Sequence, residues 1–512
     1  MTERDVRLAL LNTLLTTPHR DLASVLPLHR ELLAADPRFY VRVAAWYADN
    51  GSVRDHQEMF VIMLGLSQHE GHRDAGLALL RRLPPYEVAR VVDFIKGRQV
   101  KRHVPKAEAE GVSTRVRRKK GERVEMEKKI EQVGLFVNVP RSMRTEIARY
   151  LREREAHPSR LDSAILHGRS GLKRLYAGLH IKPSARAQAI LFAEAPPEDS
   201  VLFQVKALAR AEDPAEQARA IVEHKIPYRV AVSVIKQMSP TVLAALIDAM
   251  TPQEVINNVG ALKRRGAFDN ADVKALIEAK LEAAKGDKRV SAYKAKVAVA
   301  AAEVSEDVAA KLDAVTEAQV KAKGQINRAT ALLIDKSGSM SQAIEVGRQL
   351  GAMISAICTS DLFAYAFDTI AYPIEVEGTS LADWERALSG INANGGTSCG
   401  VALDWMRKKG QRVEQVIMVT DEGENTAPHF RDAYEAYATE VGVRPDVFFV
   451  KVGTTSDQLE RDCNALGVAP TAFVFGGDYY ALTNVIPLLS RPSLQDLLME
   501  ILEYPLPERK AV

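Results

Sequence analysis

The sequence predicts a multidomain protein in which an all-α helical-repeat domain over residues 1–325 is followed by an α/β domain over residues 326–512, built on a doubly wound, mostly parallel sheet. Three observations carry that expectation. Up to about residue 325 the apolar residues recur at helical spacing, broken by short Pro- and Gly-marked turns and without long β-branched runs. From Ala329 onward short buried runs alternate with helical segments, the pattern of a parallel sheet covered on both faces. Charge is also partitioned: Lys96 to Arg174 carries 22 Lys and Arg against 10 Asp and Glu, a net +12, whereas Ile326 to the end carries 15 against 25, a net −10.

In the helical part, Leu243, Leu246 and Ile247, then Val255, Ile256 and Val259, give each helix one apolar stripe. Thr251-Pro252-Gln253-Glu254 has a capping threonine, proline at the first helical position and a glutamate three residues after the cap, and Ser239-Pro240 opens the preceding helix in the same way. Helix pairs stacked through such stripes make a solenoid with degenerate repeats. Between Gly97 and Glu122 apolar periodicity stops, and the stretch reads as a mobile basic loop with Arg115, Arg117, Arg118, Lys119 and Lys120 crowded together. Against phosphates such a run releases counterions and gains affinity; the other reading is a solvated basic loop plus salt-bridged helices, because Glu125, Glu127, Glu131, Glu146, Glu153 and Glu155 alternate with the bases. The expected strands are Ala331 to Ile334, Leu362 to Phe367, Val416 to Val419, Val447 to Val452 and Ala472 to Phe475, with Tyr372 to Glu377 as an antiparallel edge.

At 512 residues the chain accommodates two or more cores. Cys358, Cys399 and Cys463 are far apart and odd in number, against a disulfide framework or a zinc site, so a reducing cytoplasm is the expected compartment. The opening residues lack the basic-then-apolar order of a signal peptide, and no stretch reaches bilayer-spanning length, so no membrane association is expected.

The most specific motif is Asp335-Lys336-Ser337-Gly338-Ser339 after Ala331-Leu332-Leu333-Ile334, answered by Thr397 in Gly395-Gly396-Thr397-Ser398 and by Asp421 after Val416-Ile417-Met418-Val419-Thr420. Each piece falls at a strand-to-helix junction, so carboxylates and hydroxyls converge on the carboxyl edge of the sheet, where open α/β folds bind ligands. Hard oxygen donors suit Mg²⁺ or another divalent cation. This arrangement resembles the metal-ion-dependent adhesion site of von Willebrand factor A domains. The resemblance implies Ser337, Ser339 and Thr397 as hydroxyl ligands, Asp335 and Asp421 acting from close range or through water, and one position left for a partner's acidic group. No paired nucleophile and base and no nucleotide-binding Gly-rich run is found, so no enzymatic activity is expected.

Gly171-Leu172-Lys173-Arg174-Leu175-Tyr176-Ala177-Gly178-Leu179-His180-Ile181-Lys182-Pro183-Ser184 resembles a segment of the TROVE domain of Ro ribonucleoproteins, and Ile221 to Pro227, Met250 to Pro252 and Asn258 to Leu262 are similar to later helices of that domain. TROVE helices followed by a von Willebrand A domain is the Ro architecture. The resemblance implies HEAT-like repeats forming a ring or horseshoe, and a monomer that binds structured small noncoding RNA of the Y RNA kind. It also implies capture of single-stranded 3′ ends of misfolded noncoding RNA in RNA quality control, often alongside an exoribonuclease. The matching RNA-facing residues are Lys173, Arg174, His180 and Lys182, and charge alone adds Arg141, Arg144, Arg149, Arg152 and Arg169. The family's aromatic and Gly-rich opening is not found, and the loop from Arg115 to Lys120 has no family counterpart. The competing function is a metal-dependent protein-interaction adaptor acting through the A-type domain.

Overall fold

The computed structural model describes residues 21–105 and 126–509, apart from residue 52 and short interruptions at 288–289, 293, 296–297, 300–304, 323, 476, 478, 480–481, 483–484 and 491–493. Two compact units divide the chain at Gln204/Val205 and at Glu500/Ile501.

In the first unit, α1 (Leu22–Ala35), α2 (Pro37–Asn50), α3 (Arg54–Leu66), α4 (His72–Leu80) and α5 (Pro85–Lys96) precede a two-stranded ribbon, β1 (Arg98–Pro105) and β2 (Met126–Val133); α6 (Arg141–Glu155), α7 (Pro158–Gly178) and α8 (Ala185–Leu191) follow. Asp36 caps α2 by accepting from Phe39 N–H at 3.0 Å, with Pro37 at the first helical position. Phe39, Tyr40, Trp46 and Tyr47 of α2 and Phe60 of α3 are large buried members of the core, and α5 packs along α7. The chain end returns to this unit: Tyr504 donates to Asp49 Oδ2 at 2.9 Å, and Arg509 donates twice to the buried Glu146 Oε2, at 3.0 and 2.7 Å.

The stretch expected to be a loop from residue 97 therefore begins as a strand. β1 and β2 pair antiparallel from Arg98↔Val133 to Pro105↔Met126. The sequence hides this because the register sets Arg102 opposite Lys129 and His103 opposite Lys128, leaving no apolar face for a period-two pattern to report. The ribbon springs from Gly97 (φ 72°) and returns at Gly134 (φ 124°), where an added Cβ would lie 2.4 Å from the Phe94 carbonyl oxygen.

The second unit opens with helices α9 (Val201–Leu208, entered from the first unit), α10 (Pro214–His224), α11 (Tyr228–Val234), α12 (Pro240–Ala249), α13 (Pro252–Arg264), α14 (Ala271–Ala284) and α15 (Glu306–Lys321). The capping box at Thr251 and Glu254 is present. Beyond them lie β3 (Thr330–Asp335), α16 (Ser341–Ile357), β4 (Leu362–Phe367), β5 (Ala371–Pro373), α17 (Leu381–Ala387), α18 (Val401–Lys408), β6 (Gln415–Thr420), α19 (Phe430–Val441), β7 (Asp446–Val452), α20 (Gln458–Ala465) and β8 (Thr471–Phe475). The six strands run β5-β4-β3-β6-β7-β8, parallel except for the antiparallel edge β5. Alternation splits their side chains between two cores. Leu332, Ile334, Ile417 and Val419 pack with Val346, Leu350 and Ile354 of α16 and with Trp384 of α17. Leu333, Met418 and Phe449 pack with Leu403 and Met406 of α18 and with Phe430, Tyr434 and Tyr437 of α19. Val320 of α15 joins the first of these cores, so the last helix of the repeat region and the sheet share apolar contacts. The result is helical repeats followed by a von Willebrand A-like α/β domain.

Candidate metal centre and nucleic-acid surface

The carboxyl ends of the central strands β3 and β6 bring together all five oxygen-bearing residues of the motif. Asp335 closes β3 with its side chain fully buried; Ser337 and Thr397 are buried and Ser339 is exposed. Asp335 Oδ1 accepts from the Ser337 N–H at 2.9 Å and Oδ2 from the Thr420 hydroxyl at 2.8 Å. Ser339 Oγ reaches Asp421 Oδ2 at 3.4 Å.

Main-chain bonds pin the three loops to one another. Gly338 N–H donates to the Gly395 carbonyl at 3.2 Å, and Asn425 and Thr426 N–H both donate to the Thr397 carbonyl at 3.0 Å. Thr397 N–H in turn donates to Asn425 Oδ1 at 2.9 Å.

Burial pushes the Asp335 carboxyl above its usual range, and the Asp421 charge adds to this, while the Ser337 and Thr420 donors act in the opposite direction. A cation beside these two carboxylates would remove that penalty, so the donor set fits a hard divalent ion: two carboxylates and three hydroxyls. Among the described residues no cluster of three or more His, Cys, Asp or Glu could hold a metal by itself, which leaves the hydroxyls indispensable to any such site.

Charged groups around the centre are neutralised locally. Lys336, inside the motif, turns to Asp368 in a buried ion pair and lies 4.8 Å over the Tyr372 ring. Burial works against the Asp368 charge, but the Lys336 ammonium and the Ile370 N–H hold its carboxyl below the usual range. Asp368 therefore serves the β4–β5 turn. Lys451 of β7, buried, binds Glu422 at 3.0 Å, Asp457 at 2.8 Å and Glu460 at 2.6 Å. Thr420 and Lys451 were missed in the sequence; the signals available were a hydroxyl directly before Asp421 and a single lysine inside the apolar run of β7.

The candidate RNA-facing residues lie on α6, α7 and the connection into α8. Arg141 and Arg144 are exposed on α6, and Arg149 leans to Glu146 at 3.7 Å. Arg152 pairs with Glu155 and donates to the Lys182 carbonyl at 2.6 Å, which brings two candidates together. Arg169 and Lys173, one turn apart, share Glu194 at 3.1 and 4.0 Å, and Arg174 pairs with Asp93 at 2.9 Å. His180 is exposed, with φ 54° just past the end of α7.

Glu155 fixes this connection by accepting from the Tyr176 hydroxyl and the Ser184 N–H, both at 2.8 Å. Ser184 caps α8. Most of these cations thus already have carboxylate partners, as the alternation of Glu146 and Glu155 with the bases anticipated for Arg149 and Arg152. Arg117, Arg118, Lys119 and Lys120 lie outside the described residues.

No protein-family model and no curated protein sequence matches this chain. Among solved structures, the crystal structure of the Ro (RSR) protein of Deinococcus radiodurans superposes with a TM-score of 0.62 over 95% of this chain and 99% of that one. The chain has the Ro fold. At 16% identity the likeness to that Ro protein is one of fold, and it spans both parts of the architecture, helical repeats and α/β domain. No helix among the described residues is long and apolar enough to cross a membrane.

Proposed function

We propose that this chain is a non-enzymatic, RNA-binding scaffold of the Ro type. It binds structured small noncoding RNA and the single-stranded 3′ ends of misfolded noncoding RNA in cytoplasmic quality control, as a monomer working with an exoribonuclease. The observation that carries the reading is the shared fold with a Ro protein along nearly the whole chain. Two features of the first unit support it. Cations gather on α6, α7 and the turn before α8, where phosphates can exchange with the carboxylates of Glu194 and Asp93 and where His180 offers a ring to a base. The ribbon's register also sets Arg102 opposite Lys129, a like-charge pairing that a polyanion relieves.

In the second unit, Asp335, Ser337, Ser339, Thr397 and Asp421 would hold Mg²⁺ or a similar cation. The bound ion would supply a coordination position for a partner's carboxylate. The chain's own part is to keep three loops in register through the bonds at Gly338, Thr397 and Asn425.

The test is binding of a labelled structured RNA with a single-stranded 3′ tail, compared with the tail-less RNA and a DNA duplex over a salt series. Tail-dependent binding with a steep salt slope, unchanged in Asp335→Ala, is expected. Equal weak binding to every polyanion, with Mg²⁺-dependent protein capture lost in Asp335→Ala, would transfer the function to the metal-dependent adaptor reading.

A further inference from the structure

We infer that Phe136 is a stacking platform for an unpaired base of single-stranded RNA, at the point where the basic ribbon rejoins the helices. The inference rests on the RNA-binding reading above and adds to it a residue that charge and motif did not single out.

Phe136 combines two features that are costly for the fold. Its backbone is left-handed, φ 54°, a region that a bulky L-residue rarely adopts. Its side chain is 48% exposed although wholly apolar. The surroundings hold it in that state. The preceding residue, Leu135, donates its N–H to the Phe94 carbonyl at 2.8 Å, and the following residue, Val137, donates to the Ile95 carbonyl at 3.0 Å. Both acceptors belong to the last turn of α5, so the strained residue is bracketed by two main-chain bonds and its direction is over-determined.

The ring rests on Gly97, where an added Cβ would come within 2.7 Å of its carbons. About half of the residue's surface stays exposed despite that contact, and Val137 beside it is 45% exposed. Core packing does not account for an aromatic held outward in this way, whereas a base needs a rigid, half-covered ring.

The charge around the ring is suitable for a nucleic acid. Lys96 and Arg98 flank Gly97 and are exposed. The Lys96 amine donates to the Gly178 carbonyl at 3.1 Å, which ties this corner to the end of α7, two residues before His180. The nearby carboxylate of Asp93 is already paired with Arg174. Stacking on a ring is tolerant of base identity, so the ligand class is unstructured single-stranded RNA of any sequence, with phosphates on Lys96 and Arg98.

The experiment measures the affinity of the full chain for a fluorescent, unstructured ten-nucleotide RNA in wild type, Phe136→Leu, Phe136→Gly and Phe136→Trp. Leucine keeps apolar bulk without a ring, and glycine suits the positive φ, so a folded Gly variant is secured even if Leu perturbs the turn. Both are expected to weaken binding about 5- to 100-fold with the salt slope unchanged, and the tryptophan variant to bind as wild type with its fluorescence quenched by RNA. Wild-type binding matched by both the Leu and Gly variants overturns the platform, leaves the RNA reading in place, and makes the exposed ring a surface for a protein. Failure of the wild type to bind RNA overturns the broader reading and the platform with it.

Discussion

Glu58→Gln should stabilise the first unit at alkaline pH. Glu58 sits on α3 with no exposed surface, 3.0 Å from the Arg90 guanidinium. Its Oε2 has no hydrogen-bond partner among the described residues. Burial is the main influence on its carboxyl, which is pushed up to about 8; Arg90 opposes this, and the Glu87 and Asp55 charges add to it. Because the folded value lies above the unfolded one, folding takes up a proton between the two. Stability from this group is therefore fully present below the ordinary value of 4.5 and is lost as pH rises through about 8. The shift corresponds to a ceiling of about 5 kcal/mol, and rearrangement of Arg90 and Arg54 around the ionised group lowers the expectation to roughly 2–4 kcal/mol at pH 8.5. Glutamine keeps the acceptor for Arg90, which also retains Asp55 at 2.7 Å, and does not titrate. Amide hydrogen exchange on peptides from α3 and α5, corrected for intrinsic rates, reads the opening free energy of this region alone in a chain of two units. The variant should match wild type within about 1 kcal/mol at pH 5 and exceed it progressively toward pH 8.5. Parallel curves, or a variant less stable at pH 8.5, would refute the assignment of a neutral buried carboxyl.

Charge removal at Lys173, Arg174 and Lys182 together should weaken RNA binding without changing sequence preference and lower the log–log salt slope by up to about 2, as read by titration at four or more salt concentrations. Arg509→Ala should destabilise the first unit by about 1–3 kcal/mol, because Glu146 is fully buried and loses one of its two strongest donors while keeping Arg81 at 2.9 Å. Burial opposes the Glu146 charge, but Arg81 and Arg509 hold its carboxyl below the usual range; the stability they give is present above the unfolded value and lost as pH falls through the folded one. The variant and wild type should accordingly converge as pH falls through and below the usual carboxylate range, in urea unfolding followed by exchange on α6.

How much of this was legible follows from what each feature buries. The strands were readable because β3 and β6 are buried on both faces and read as continuous apolar runs. β5 was readable only as an edge, and it pairs over Ala371–Pro373 where Tyr372 to Glu377 was expected. The convergence of the motif residues on one sheet edge was readable because their order is set by strand ends. The ribbon was not, because neither face of its register carries an unbroken apolar row to impose a period. The left-handed backbone of Phe136 was equally hidden: Leu135-Phe136-Val137 looks like any apolar triplet, and only the bonds to α5 show that the chain turns there. The carboxylate partners of Arg169, Lys173 and Arg174 are distant in sequence, beyond any local pattern, whereas those of Arg149 and Arg152 lie one helical turn away and were legible from spacing.

Under the proposed RNA-binding reading, those partners also bear on what kind of RNA such a surface would take. Arg186 illustrates a pair that cannot exchange: it holds Asp162, whose side chain is 2% exposed, at 2.7 Å, and removing either would strand a buried charge. Arg169 and Lys173 differ, since their shared Glu194 is 69% exposed and such a pair contributes at most about 1 kcal/mol. A phosphate can displace it cheaply. Until one does, the carboxylate occupies the guanidinium and orients it, so fewer counterions are waiting to be released and indiscriminate attraction to polyanions is reduced. A surface of exchangeable pairs favours an RNA whose shape presents several phosphates in register, since each must replace a carboxylate at its own position. By that argument the salt slope should fall short of the number of cations on α6 and α7, and duplex DNA should compete poorly at equal charge.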